Sequence, residues 1–194
     1  WDSLFAVGGP SGLVPAGEYA IDVARVEAGL LIVGSDYKGA GFWSGVGPYP
    51  DDRQECSPGE LNLGRFVDFS KEHFVGKQAL VEERDAGGPS DRLLGLELTE
   101  DSISRLREIE FGPVLPRVSR NVYRLNAGAA AVGYVTSLTW GYSLGKVVGL
   151  AHVQSSAAID GNEVSLVWPT KDGEKMLDAR LTDLPFRKHV RAVA

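Results

Sequence analysis

The sequence predicts an α+β chain. A first part mixes helices with short strands, and a second, all-β part folds as a sandwich or small barrel. Three observations predict this. Tyr19, Val23, Val26 and Leu30 recur at helical spacing and make one apolar stripe. Beyond the middle of the chain the period changes to two: Leu94, Leu96 and Leu98 alternate with Gly95, Glu97 and Thr99, as in a half-buried strand. Further strand-like runs then follow one another across glycine turns with almost no helical period.

The elements follow in order. Leu4, Phe5 and Val7 read as a short helical segment before the Gly/Pro stretch Gly8 to Gly12. Pro15 suits a first helical turn, Glu18 sits near the positive end of the helix it opens, and Gly29 can cap or loosen its end. The apolar run Leu30 to Val33, closed by Gly34, reads as a short buried strand. From Lys38 to Gly59 the chain is rich in Gly, Pro and Asp, with Phe42, Trp43 and Tyr49 among them, and reads as a long loop whose aromatics pack on something. Leu61 to Phe69 reads as a strand, and Gly76 to Asp85 as a short helix rich in good helix formers.

Ala86-Gly87-Gly88-Pro89-Ser90 is the best linker in the chain, which places a boundary near residue 88 and divides it into 1–88 and 89–194. In the second part, Ala131 to Thr139 and Lys146 to Gln154 read as strands around a turn at Gly141. Glu163 to Trp168 follows the turn Asp160-Gly161, and Ala179 to Phe186 follows Asp172-Gly173.

Composition bounds the function. The 194 residues are 43% hydrophobic, enough for a real core in one domain or two small ones. A net charge of −6 argues against a nucleic-acid binder. No run approaches the roughly 18 apolar residues of a membrane-spanning helix. The single cysteine, Cys56, excludes a disulfide framework and a CxxC metal knuckle. The chain opens Trp1-Asp2-Ser3, with neither an initiator nor a signal-peptide layout, so the expectation is a cytoplasmic protein of which this is a piece.

Searches for generic catalytic motifs are mostly negative. His73, His152 and His189 stand at no ligand spacing, so no metal site is expected, and each reads as a surface or strand residue. Gly141-Tyr-Ser-Leu-Gly145-Lys146 has too few residues between its glycines for a phosphate loop, and Val147 stands where Ser or Thr is required; a turn into a strand explains it better. Cys56 has no identifiable base. More informative is Asp22-Val-Ala-Arg25-Val-Glu27. Asp22 and Arg25 can pair on the helix surface, or Arg25, beside the apolar stripe, can aim its guanidinium into a cleft to bind a carboxylate or polarised carbonyl. Phe186-Arg187-Lys188-His189-Val190-Arg191 is a basic tail, solvated or forming an anion-binding lip.

Six motifs stand in a recognisable order. They are Ala24-Arg25-Val26-Glu27-Ala28-Gly29-Leu30, Ser57-Pro58-Gly59-Glu60-Leu61-Asn62-Leu63-Gly64, Phe74-Val75-Gly76-Lys77-Gln78-Ala79-Leu80, Val132-Gly133-Tyr134-Val135-Thr136-Ser137, Ser143-Leu144-Gly145-Lys146-Val147-Val148-Gly149-Leu150-Ala151-His152-Val153 and Leu184-Pro185-Phe186. The series resembles the C-terminal half of the glycine-cleavage T-protein (aminomethyltransferase) family, with its strings LRLEAGL, TPLEAGLG, FIGKEAL, VGxVTSG, SPTLGKNIALAYV and a closing PF. The resemblance covers nearly the whole chain.

It implies the C-terminal part of a folate-binding, partly ferredoxin-like body in 1–88, and a small antiparallel β-barrel in 89–194. It also implies a tetrahydrofolate-dependent one-carbon transferase. Arg25 stands where the family's RLE arginine contacts folate, and Arg191, five residues after Phe186, where a tail residue does. The family's catalytic aspartate and the acidic residue of its GxTGExGxE stretch fall outside this chain, so the catalytic group is not named. Activity then needs an upstream portion or a companion chain, together with a small-molecule one-carbon donor. Ile32-Val33-Gly34 replaces the glycine enzymes' LYG, and the loop from Lys38 to Cys56 is longer and more aromatic. Both lean toward demethylase-like relatives. The other class of reading is a non-catalytic binding or interaction module whose barrel docks a partner.

Overall fold

The computed structural model describes residues 1–38, 55–111 and 122–186. The aromatic stretch with Phe42, Trp43 and Tyr49, and the tail with Arg191, lie outside the described residues.

The second part of the chain is a closed six-stranded antiparallel barrel. Its strands are β1 (Asp91–Leu98), β2 (Tyr123–Ala127), β3 (Ala130–Gly141), β4 (Lys146–Gln154), β5 (Glu163–Thr170) and β6 (Gly173–Thr182), arranged in the order β1-β4-β3-β2-β5-β6 with β6 closing on β1. Closure leaves no unpaired edge. The period of two explains the filling. Leu94, Leu96, Leu98, Leu125, Val135, Leu138, Leu166, Leu177 and Leu181 are buried in one cluster, and each fully buried leucine contributes about 1.5–3 kcal/mol. Tyr123 stacks on Trp168, with ring centroids 4.6 Å apart.

Among the described residues of the first part are three α-helices: α1 (Asp2–Gly8), α2 (Glu18–Glu27) and α3 (Lys77–Asp85). A fourth, α4 (Glu100–Leu106), follows β1 directly and sends Ile103 and Leu106 into the barrel cluster. Thr99 caps it by accepting the Ser102 amide at 3.2 Å, and Glu100 and Asp101 fill its first turn.

The other face of the barrel wall matters more for function. Val148 and Leu150 of β4 and Leu93 of β1 point outward, and Val26 of α2 is fully buried against them. Leu31, Leu144, Leu184 and Phe186 complete this second cluster. The first part therefore packs directly on the barrel.

The structure corrects several sequence expectations. Leu30 to Val33 is not a buried strand. Leu30, Ile32 and Val33 are exposed, and the segment makes one isolated bridge, Val33 to Tyr37. The run is too short to form a ladder, it ends at Gly34 with φ 83°, and the Ile32 amide is taken by a side chain. Leu61 to Phe69 is a turn and a 3-10 helix, Gly64–Phe66, because Asn62 sits at φ 59° and breaks extended geometry. Its side chain instead donates to the Leu93 carbonyl at 2.7 Å, while the Leu93 amide donates to the Glu60 carbonyl at 2.9 Å, tying this segment to β1. The last strand begins at Gly173, not Ala179, and ends at Thr182, so Leu184 and Phe186 are free to cover the outer cluster. Strand β2 and helix α4 were not expected from the sequence. No helix among the described residues is long and apolar enough to cross a membrane.

Candidate functional site

The motif Arg25-Val26-Glu27 ends α2, and all three side chains engage the barrel. Val26 fills the outer cluster. Glu27 accepts the Ser143 amide at 2.9 Å and its hydroxyl at 2.5 Å, which fastens α2 to the β3–β4 turn. That turn is the segment with phosphate-loop-like glycines, and it is a turn with Gly145 at φ 67°.

Arg25 is only 6% exposed. Its Nε donates to Asp22 at 2.6 Å, Nη1 to Asp36 at 2.6 Å and to the Leu30 carbonyl at 3.4 Å, and Nη2 to the Ser137 hydroxyl at 2.9 Å. The pairing of Asp22 with Arg25 is therefore real, but it is buried rather than on the surface. The second hydrogen of Nη2 has no acceptor among the described residues.

Asp36 is the residue that sequence reasoning missed. It is 1% exposed. Besides Arg25, its carboxylate accepts from the Ile32 amide at 2.8 Å, the Thr136 hydroxyl at 2.8 Å and the Ser137 hydroxyl at 2.6 Å. Four donors saturate a buried carboxylate, which is what makes its burial tolerable. Thr136 and Ser137 come from β3, at a register shift against β4 between Val135 and Ser137. The bulge turns neighbouring hydroxyls toward one carboxylate.

His152 of β4 extends the network. Its Nε2 lies 2.9 Å from the Asp36 carbonyl, so that nitrogen carries the proton, and the ring stacks on Tyr134 with centroids 5.0 Å apart. Burial pushes its pKa below the usual 6.5, only partly opposed by the Asp36 carbonyl and nearby carboxylates. The sign follows. The unfolded chain takes up a proton near the ordinary histidine pKa, whereas the folded chain resists it, so stability is full above about pH 6.5 and falls as the pH drops below it. Urea midpoints measured from pH 7.5 to 5 are expected to fall for the wild type. They should fall less for His152→Gln, which cannot charge; parallel curves would refute this.

Beside His152 is a cleft of about 590 Å³. Its floor is Tyr134, His152 and Asp91 on the outer face of β3, β4 and β1, and Glu55, Cys56 and Glu60 line it from the other side. Ser57 and Glu60 form a reciprocal cap: the Ser57 amide donates to Glu60 at 2.8 Å, and the Glu60 amide to the Ser57 hydroxyl at 3.2 Å. Burial, with Glu60 and Asp91, pushes the Cys56 thiol up to about 11, so it is not a nucleophile at neutral pH. Among the described residues, no group of three or more His, Cys, Asp or Glu side chains could hold a metal ion.

Comparison with known proteins then decides the family. Residues 104–188 match the model of the glycine cleavage T-protein C-terminal barrel domain. The chain carries the C-terminal barrel domain of the glycine cleavage T-protein family. The aminomethyltransferase of Bacillus pumilus (strain SAFR-032) is 31% identical over 192 residues, which are 98% of this chain and 43% of that protein. The aminomethyltransferase of Aquifex aeolicus (strain VF5) is 33% identical over 152 residues, 78% of this chain and 33% of that protein. The crystal structure of the glycine cleavage system aminomethyltransferase T from Bartonella henselae shares the fold, with a TM-score of 0.70 at 22% identity, over 96% of this chain and 43% of that one. The chain thus spans about two fifths of the length of such relatives, and it carries the family's barrel domain.

Proposed function

We propose that the chain forms one wall of a tetrahydrofolate site in a one-carbon (methyl or aminomethyl) transferase. The observation that carries the reading is the last N–H of Arg25. It is the one guanidinium hydrogen without an acceptor among the described residues, and exposed aliphatic side chains stand near it. Ile21 lies one helical turn before Arg25, the Leu30 carbonyl sits on Nη1, and the Ile32 amide sits on Asp36; all three side chains are exposed. One fixed donor, with exposed aliphatic residues nearby in the chain, suits the polar edge and apolar face of a pterin ring. The relatives named aminomethyltransferase support the same chemistry.

In this reading Arg25 meets the folate with its remaining N–H, and Asp22, Asp36 and Ser137 hold it in that orientation. Arg191 serves the anionic glutamate end, where a guanidinium suits carboxylates. Residues 1–88 belong with the folate-binding body and 89–194 with the barrel. Tetrahydrofolate supplies the nitrogen that accepts the one-carbon unit. The protein contributes positioning and exclusion of water. The acid-base group comes from the rest of the family's length, on the same polypeptide or a companion chain.

Calorimetry with tetrahydrofolate tests the reading. The wild type is expected to bind. Ile32→Asp, which leaves the Arg25 bonds intact, should weaken binding about tenfold, or 1.4 kcal/mol, with the melting temperature unchanged. No heat with the wild type would refute it. The finer reading, a demethylase-like donor preference, rests on Ile32-Val33-Gly34 and the aromatic stretch. In a donor screen it is expected to favour dimethylglycine or methoxyaromatics, and preference for a glycine-derived donor would overturn it.

A further inference from the structure

We propose that His152 is a positioning residue for Arg25. By holding the Asp36 backbone to β4, it fixes the direction in which the Arg25 guanidinium presents its remaining N–H. The consequence for tetrahydrofolate rests on the folate reading above; the effect on Arg25 does not.

The turn that carries Asp36 closes on itself. The Asp36 amide donates to the Ile32 carbonyl at 2.9 Å, the Ile32 amide to the Asp36 carboxylate at 2.8 Å, and the Gly34 amide to the Tyr37 carbonyl at 2.7 Å. These bonds set the shape of the turn. They do not set where the turn stands on the barrel, because donor and acceptor move together. Two grips from the barrel do that. Thr136 and Ser137 of β3 hold the Asp36 carboxylate, and His152 of β4 donates from Nε2 to the Asp36 carbonyl at 2.9 Å.

The two grips differ in what they fix. A carboxylate held by hydroxyls can still swing about its own side-chain bonds, and the hydroxyls rotate with it. With the main-chain carbonyl held as well, Asp36 is fixed at both ends. Its oxygen on Nη1 of Arg25, at 2.6 Å, then has one position. The guanidinium is a planar fork, so seating Nη1 on Asp36 and Nε on Asp22 also settles where Nη2 points.

The anchor is rigid in turn. His152 is buried, its ring stacks on Tyr134 with centroids 5.0 Å apart, and the two residues pair across β3 and β4. A donor aimed at a ligand keeps its aim only if the groups behind it are themselves locked. Here the line of support runs from β4 through His152 and the Asp36 backbone to Arg25. None of it is local in sequence: His152 and Asp36 are 116 residues apart.

The test reads Arg25 directly. The chain is labelled with ¹⁵N-arginine and observed at about pH 7.5, where burial keeps His152 neutral. The Arg25 signals are identified by their absence in Arg25→Lys. His152→Phe keeps an aromatic ring beside Tyr134 and removes the donor. In this variant the Arg25 Nη hydrogens are expected to exchange with solvent at least about tenfold faster, and tetrahydrofolate to bind about tenfold more weakly. His152→Gln returns an N–H of similar reach, and both readouts should come back to within about threefold of the wild type. His152→Asn, one methylene shorter, should behave as His152→Phe does, and it takes that variant's place should the latter not fold. Unchanged Arg25 exchange in the variant without a donor would overturn the proposal, whether or not folate binds. So would equal disturbance in His152→Phe and His152→Gln, since the ring would then only fill space. A wild type that binds no folate refutes the folate reading, and the Arg25 exchange rates still decide the role of His152.

Discussion

Replacing Arg25 by alanine is expected to destabilise the chain by about 3–5 kcal/mol, because it removes the guanidinium paired with the buried carboxylate of Asp36 and with Asp22. For a chain of this size that corresponds to a melting temperature lower by on the order of 10 °C. The loss is not simply that of a salt bridge. Asp36 would keep its donors from Ile32, Thr136 and Ser137, but not the charge that balances it. Arg25→Lys should fall between, since one ammonium cannot reach Asp22, Asp36 and Ser137 with the geometry of a planar fork. A double-mutant cycle separates pairing from packing. Arg25→Met combined with Asp36→Asn should recover at least about 2 kcal/mol relative to the sum of the single variants, because it removes both charges. Denaturant unfolding of the four proteins decides it. Effects that add within about 0.5 kcal/mol would mean that the two charges are not coupled.

How far this site was legible follows from its sequence separations. The Asp22–Arg25 pair is local, three residues apart on a helix, and can be read from spacing alone. The Asp36–Arg25 pair spans 11 residues through a turn, and the bond from Arg25 to Ser137 spans 112. No periodicity carries such information. Within the sequence, Gly34 reads only as the close of an apolar run, and nothing local marks Asp36. The resemblance located Arg25 without showing which carboxylate would hold it.

The fold divides in the same way. β1, β3, β4 and β5 announce themselves because alternation and glycine turns are local consequences of a barrel with one filled face. Helix α4 escaped because it is a single short element inside a β region, although Thr99, Glu100 and Asp101 form a recognisable start. Leu30 to Val33 misled because an apolar run signals burial or an exposed binding surface equally well. Here Leu30 and Ile32 face solvent beside Arg25, which is where the proposed folate face lies.

Gly133→Ala is expected to be the most damaging small substitution in the barrel. A Cβ at Gly133 would lie 2.1 Å from the His152 carbonyl oxygen and 3.0 Å from the Val153 Cα. Both are backbone atoms of the neighbouring strand, so no side-chain rotation relieves the contact. Gly133 pairs with Val153, and β4 would have to move away at His152, the residue that holds Asp36. The expected cost is above about 4 kcal/mol, in the range reserved for strain at a fixed backbone. Gly128→Ala is the control. Gly128 has φ 59° with open space around its Cβ position, so it carries only the left-handed penalty of about 1–2 kcal/mol. Unfolding midpoints of the two variants test the difference. Equal losses would show that β3 and β4 can separate cheaply at this point. A larger loss at Gly133, accompanied by a changed His152 ring resonance, would show that close strand approach in the Val132-Gly133-Tyr134 motif seats the network behind Arg25. On that account the motif's glycine is needed for the distance between two strands rather than for a turn.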